Sequence, residues 1–261
     1  MSGAGEETMP TTDDDSRSLS REAARELRPG SEHYLAYVGP PRQYDFMGAT
    51  QFRLLTALGL REHHRVLDFG CGSLRAGRLL IPYLLPGHYH GIEPNLWLVE
   101  DAIANQVGAD MVRIKQPRFD GNADFRCDVF ATDFDFIVAQ SIFSHTMREL
   151  AVRGLRNFRG ALAPGGLVAC TFVDAAPAPP AASIGADGWV YPDCVGFASD
   201  GVAGMFADAG LVGVRLPWYH PRQAWYLAAT EAAHLPGEAE LRLLDGAVLR
   251  DPEFKASVRP R

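Results

Sequence analysis

The sequence predicts an α/β protein built on a doubly wound, mostly parallel sheet. Three observations carry that expectation. Short apolar runs alternate with segments of helical periodicity from residue 46 to residue 209. Several runs end in polar residues, Asp68, Glu93 and Gln140, as strands do where they reach a ligand crevice. Beyond Gly210 the alternation stops, and two strand-like runs joined by Y-H-P-R-Q read as an antiparallel hairpin.

The elements follow in order. Residues 1–19 are Gly, Thr, Ser and Asp-rich, too poor in apolar surface to offset ordering entropy, and are expected to be a disordered tail. Residues 20–230 form the main domain, opening with a short helix capped by Ser20 and stopped at Pro29-Gly30. Tyr34, Tyr37 and Tyr44 follow, either as a lid or as packing against the sheet. A helix over 46–60 leads to the first strand, Arg65–Phe69. The turn Gly70-Cys71-Gly72 then feeds a helix starting near Ser73 and closed by Pro86-Gly87. The next strand is Tyr89–Glu93, followed by a helix through Trp97, Leu98 and Ile103. A third strand is expected around Met111–Phe119 and a fourth, F-D-F-I-V-A-Q, is expected to be buried on both faces. A helix over Met147–Ala161 precedes the turn Pro164-Gly165-Gly166 and a fifth strand, Leu167–Phe172. Residues 174–188 read as an extended Pro/Ala insertion, and a helix over Ala198–Ala209 is capped by Ser199 or Asp200. The hairpin is Val212–Trp218 with Ala224–Thr230, and residues 231–261 form a helical extension led by Glu238–Leu249.

Composition narrows the function classes. The chain of 261 residues is 47% hydrophobic and 22% charged, an ordinary globular balance. Its net charge of −7, with no basic stripe, argues against a nucleic-acid partner. No apolar run reaches the ~18–20 residues of a membrane span. Cys71, Cys127, Cys170 and Cys194 show no C-x-x-C or metal-ligand spacing, so no metal is expected and free thiols in the cytoplasm are.

The stretch V-L-D-F-G-C-G-S (66–73) concentrates the chemistry. Glycines permit a turn that brings backbone close to a ligand, and a helix starting there would present unpaired N–H groups. A dinucleotide fingerprint would need a third glycine at position 75, where Arg75 stands, and Asp68 would repel a pyrophosphate. Arg75 itself reads either as a partner for a ligand carboxylate or as a solvated helix arginine.

Asp68-x-Gly70-x-Gly72, Glu93, F-D-F-I-V (134–138) and Leu162-x-Pro164-Gly165-Gly166 together resemble class I S-adenosylmethionine-dependent methyltransferases, over roughly residues 40–230. The resemblance implies a Rossmann-like, seven-stranded sheet and S-adenosylmethionine as cofactor. It assigns cofactor contacts to Asp68, Gly70, Cys71, Gly72, Glu93, Asn122 and Gln140, with Glu93 on both ribose hydroxyls and Asn122 on the adenine amine. His145 is the candidate base, against the alternative of a histidine that only starts a helix. Ser141, Trp218, His220 and Arg222 are candidate acceptor contacts, with Trp189, Tyr191 and Tyr219 nearby; aromatic residues also fill ordinary cores. The expected function is methylation of a small molecule on O, N or C, in biosynthesis of a specialised metabolite. The alternative is a catalytically altered protein of the same fold that binds the cofactor but serves as a partner or runs non-methylating chemistry. A homodimer is compatible with either.

Overall fold

The computed structural model describes residues 14–174 and 184–244. Its strands are β1 (Val66–Phe69), β2 (Tyr89–Ile92), β3 (Arg118–Asp120), β4 (Phe134–Ala139), β5 (Leu162–Phe172), β6 (Val212–Leu216) and β7 (Ala224–Ala229). They form one seven-stranded sheet in the order β3-β2-β1-β4-β5-β7-β6. The first five in that order are parallel, and β7 runs antiparallel to both β5 and β6. The sheet is therefore Rossmann-like and doubly wound, and its order reverses between β1 and β4.

The helices are α1 (Asp14–Arg17), α2 (Arg21–Ala24), α3 (Tyr44–Ala57), α4 (Gly77–Tyr83), α5 (Leu96–Ala102), α6 (Ala109–Lys115), α7 (Arg148–Gly160), α8 (Ser199–Asp208) and α9 (Glu238–Leu244). Strand side chains alternate between two cores, one on each face of the sheet. Leu67, Phe69, Ile137 and Val168 join α7 and α8 on one face. Val66, Val138, Ala169 and Trp225 join α3 and α4 on the other. In β4 only Asp135 is partly exposed, as expected for a central parallel strand. On the first face an aromatic run passes from Phe172 through Phe143 and Phe125 to Trp189, with successive ring centroids 5.0, 6.0 and 5.5 Å apart.

Several boundaries differ from the sequence reading. Ser73 does not cap a helix: α4 starts at Gly77 because Gly72 and Leu74 hold positive φ of 53° and 55°. Ser73 is buried instead, and its carbonyl accepts the Tyr44 hydroxyl at 2.6 Å. The expected third strand is mostly helix: Met111–Lys115 belongs to α6, and only Arg118–Asp120 pairs with β2. Met111 packs on the second core at helical spacing, which overrides its strand-like composition. α8 is entered at Ala198 without a side-chain cap; the Ser199 hydroxyl lies 3.2 Å from that of Tyr226 instead. The N-terminal tail is shorter than expected, since α1 is helical and Arg17 pairs with Asp101 at 3.0 Å. Residues 1–13, the Pro/Ala stretch 175–183 and the end of the C-terminal extension, 245–261, lie outside the described residues.

Candidate active site

The glycine turn is closed by its own neighbours. Gly70 and Cys71 donate their N–H groups to the Ile92 carbonyl, at 2.8 and 3.0 Å, and Gly72 donates to Glu93 Oε2 at 3.0 Å. These N–H groups therefore tie β1 to β2 rather than face a ligand, contrary to the sequence expectation. Glycine is required at 70 for a further reason: at φ 70°, a Cβ there would lie 2.1 Å from Ile142 Cδ1. Glu93 Oε1 also accepts the backbone and side-chain N–H of Asn95, at 2.9 and 3.2 Å. A carboxylate offers about four acceptor sites. One site on Oε2 is left, so Glu93 can take one ribose hydroxyl in this arrangement rather than two. Burial pushes its pKa up, opposed by the bonds from Asn95 and Gly72.

Asp68 is buried at the end of β1, and its Oδ2 accepts the Tyr89 hydroxyl at 2.9 Å. Burial drives its pKa up to about 6, against the Tyr89 bond and the nearby Arg75 charge. Gln140 stands two residues beyond Val138, the register partner of Asp68, and therefore on the same face. Its Oε1 is buried without a protein partner. Arg75 donates from Nη1 to the Val38 carbonyl at 2.9 Å, while its Nε is buried and unpaired. The site thus holds an unsatisfied acceptor and an unsatisfied cationic donor around one carboxylate.

These groups open into a cavity of about 530 Å³. Gly70, Cys71, Gly72, Ser141 and His145 line it with Asp68, Glu93 and Gln140. Tyr37 and Val38 close one side, Trp189, Tyr191 and Cys194 another, and Arg222 reaches in from the hairpin loop. Tyr37 and Tyr191 face each other with ring centroids 6.5 Å apart and planes inclined at 24°. Among the three N-terminal tyrosines, Tyr37 lines the cavity, whereas Tyr34 and Tyr44 pack with Ala24 and Leu35.

His145 occupies the far wall. Its Nδ1 lies 2.7 Å from the Asp193 carbonyl oxygen. A carbonyl only accepts, so Nδ1 carries the proton and Nε2 keeps its lone pair. Burial pulls the pKa down, the Asp193 bond opposes this, and the Arg222 charge adds to the lowering. The imidazole is therefore neutral at pH 7. Ser141, at φ 63°, donates its N–H to Thr171 Oγ1 at 2.7 Å, and its Oγ accepts Gln223 Nε2 at 2.9 Å.

Three expected contacts have other tasks. Asn122 borders the cavity, but its Nδ2 bonds Asp120 and the Arg126 carbonyl, and its Oδ1 accepts the Arg126 N–H. Its side chain locks the loop after β3. Trp218 is 4% exposed and belongs to the core beside Leu216 and Trp225. His220 does not line the cavity: its Nδ1 accepts the N–H groups of Arg222 and Gln223, at 3.3 and 3.1 Å, and shapes the hairpin turn. Burial drives His220 down to about 3, which keeps that acceptor unprotonated. Conversely, sequence reasoning missed the Asp193 carbonyl and Gln223; a main-chain oxygen has no residue-type signal.

Residues 67–168 match the family model described as a methyltransferase domain. The chain therefore carries a methyltransferase domain over that stretch. Among solved structures, the methyltransferase is similar to magnesium protoporphyrin IX methyltransferase of Synechocystis PCC 6803 with bound S-adenosylhomocysteine. That match has 14% identity and TM-score 0.52, covering 73% of this chain and 86% of the other. A second similar structure is the pyocyanin biosynthetic protein PhzM, at 13% identity and TM-score 0.55. There 81% of this chain is covered, but it spans only 62% of PhzM. DhpI in complex with S-adenosylhomocysteine is also similar, at 16% identity and TM-score 0.52, with 72% and 86% covered. At these identities the structural likeness establishes the fold. No curated protein matches the sequence. The buried Asp68 carboxylate, with the unpaired Gln140 Oε1 and Arg75 Nε, fits a ligand that carries both an ammonium and a carboxylate.

Among the described residues, no helix is long and apolar enough to cross a membrane.

Proposed function

We propose that this enzyme methylates O, N or C of a small molecule, with His145 as general base. The observation that carries this reading is the cavity itself, which joins the acidic strand ends at Asp68 and Glu93 to a neutral imidazole whose Nδ1 is already engaged by Asp193. S-Adenosylmethionine supplies a methyl group on a sulfonium, which a correctly aligned nucleophile can take by in-line displacement. With the cofactor bound, Asp68 and Gln140 Oε1 would accept from its ammonium, Arg75 would pair with its carboxylate, and Glu93 Oε2 would take a ribose hydroxyl. Cys71 fills the turn between β1 and Gly91, where its Sγ sits 2.9 Å from the position of a Cβ. Ser141 and Gln223 hold the hairpin loop against the segment that carries His145. His145 Nε2 takes the proton from the acceptor as the methyl group arrives.

Tyr37 and Tyr191 narrow the mouth to a slot suited to a flat acceptor. The similarity to a pyocyanin biosynthetic protein and a porphyrin methyltransferase supports a small-molecule acceptor. Isothermal titration tests the first half of the reading: S-adenosylmethionine and S-adenosylhomocysteine bind and NAD does not. Binding of NAD with no response to either adenosyl ligand would overturn it.

A further inference from the structure

Two arginines line the cavity, and only one of them has a task in the scheme above. Arg75 sits beside Asp68, at the cofactor end. Arg222 lines the cavity from the loop between β6 and β7. Among the described residues its guanidinium has no carboxylate partner and no hydrogen bond, whereas its backbone N–H is fixed by His220 Nδ1. The loop cannot swing away freely, because Gln223 Nε2 bonds Ser141 Oγ at 2.9 Å. Arg222 is thus an exposed cation that lines the cavity and whose charge reaches His145.

When His145 accepts a proton, a second positive charge develops close to Arg222, and partial burial strengthens the repulsion. An anionic ligand at Arg222 would remove this conflict. Aromatic rings line the cavity with Arg222: Tyr191 meets His145 edge-on with centroids 5.2 Å apart, and Tyr37 and Trp189 are also in the lining. Aromatic walls favour a flat ring. A single guanidinium matches a single charge, and its planar fork matches a carboxylate. A phosphate, at nearly two charges, would leave one uncompensated.

We propose that the methyl acceptor is an aromatic carboxylate, held by Arg222 with its reacting atom toward His145. This rests on the small-molecule reading above and narrows it to one chemical class.

The test uses the full-length protein saturated with S-adenosylhomocysteine and titrated with benzoate and 2-naphthoate, each beside its carboxamide. Wild type is expected to bind at least one carboxylate about tenfold more tightly than the matching amide, as loss of a charge-assisted bond implies. Arg222→Gln should abolish that preference and Arg222→Lys should retain part of it. Equal binding of acid and amide, no binding of any of the four probes, or a preference that survives Arg222→Gln would each overturn the assignment. Failure of S-adenosylhomocysteine to bind would instead count against the methyltransferase site itself, and is read separately in the first titration.

Discussion

His145 Nδ1 and the Asp193 carbonyl oxygen are 2.7 Å apart, although 48 residues separate them in the chain. This bond fixes the tautomer and points the basic nitrogen, Nε2, away from the loop that holds it. A main-chain oxygen does here what a carboxylate does in many histidine bases. It orients the ring without adding a negative charge, and burial pulls the pKa down despite it.

Replacing His145, the proposed base, should separate chemistry from binding. His145→Ala is expected to lower kcat by roughly 10²–10⁴-fold while leaving cofactor affinity nearly intact. In wild type the rate should be flat above pH 7 and fall on the acid side. The midpoint of that fall should lie below the ordinary histidine value of 6.5, because burial depresses the group. Steady-state kinetics across pH 5–9 check both statements; an unchanged kcat in the variant, with only KM raised, would reduce His145 to a shaping role.

Glu93→Ala is expected to weaken S-adenosylhomocysteine binding by about 1.5–3 kcal/mol, the range for a hydrogen bond to a charged group. Part of the loss comes from the turn, since the Gly72 and Asn95 N–H groups lose their acceptor. Glu93→Gln keeps one acceptor oxygen and should lose less. Calorimetry on the two variants provides the comparison, and wild-type affinity in Glu93→Ala would remove β2 from the cofactor site.

Cofactor affinity should also depend on pH through Asp68. In the free protein this carboxyl titrates at about 6, raised by burial. An ammonium ligand favours the ionised form, so affinity is expected to be constant above that value and to decrease as pH falls through it, with proton release on binding near pH 6. The sign for folding is opposite. Because the folded-state pKa exceeds the ordinary 3.8, the ionised group costs the fold stability as pH rises from that value through about 6. Asp68→Asn should therefore bind the cofactor weakly at every pH and show no titration in this range.

Trp218 serves the core, and its variants should say so. Trp218→Ala is expected to lose about 3–5 kcal/mol of stability in urea unfolding. Trp218→Phe should cost far less, because the buried Nε1 has no partner to lose. Neither change should alter acceptor specificity if the folded fraction is accounted for. A shift in acceptor preference in the phenylalanine variant would return Trp218 to the binding site.

The sequence by itself determined the alternation of elements, the parallel sheet, the closing hairpin, and the acidic and glycine residues at the strand ends. Those features are local: apolar runs of strand length, helical spacing and Gly or Pro punctuation each act within a few residues. Asp68, Gly70, Gly72, Glu93 and Gln140 were legible because a strand end in a doubly wound sheet has a known side. Tertiary structure alone decided how side chains at the hairpin tip were divided. Trp218 faces the core, His220 caps the turn and Arg222 enters the cavity, although all three lie within five residues of one another. Their directions follow from packing against β7 and from the bond between Gln223 and Ser141, 82 residues apart. The same holds for Asn122, whose amide is consumed by its own loop, and for the Met111–Lys115 helix. Contacts between distant segments determine these directions, and no residue type announces them in advance.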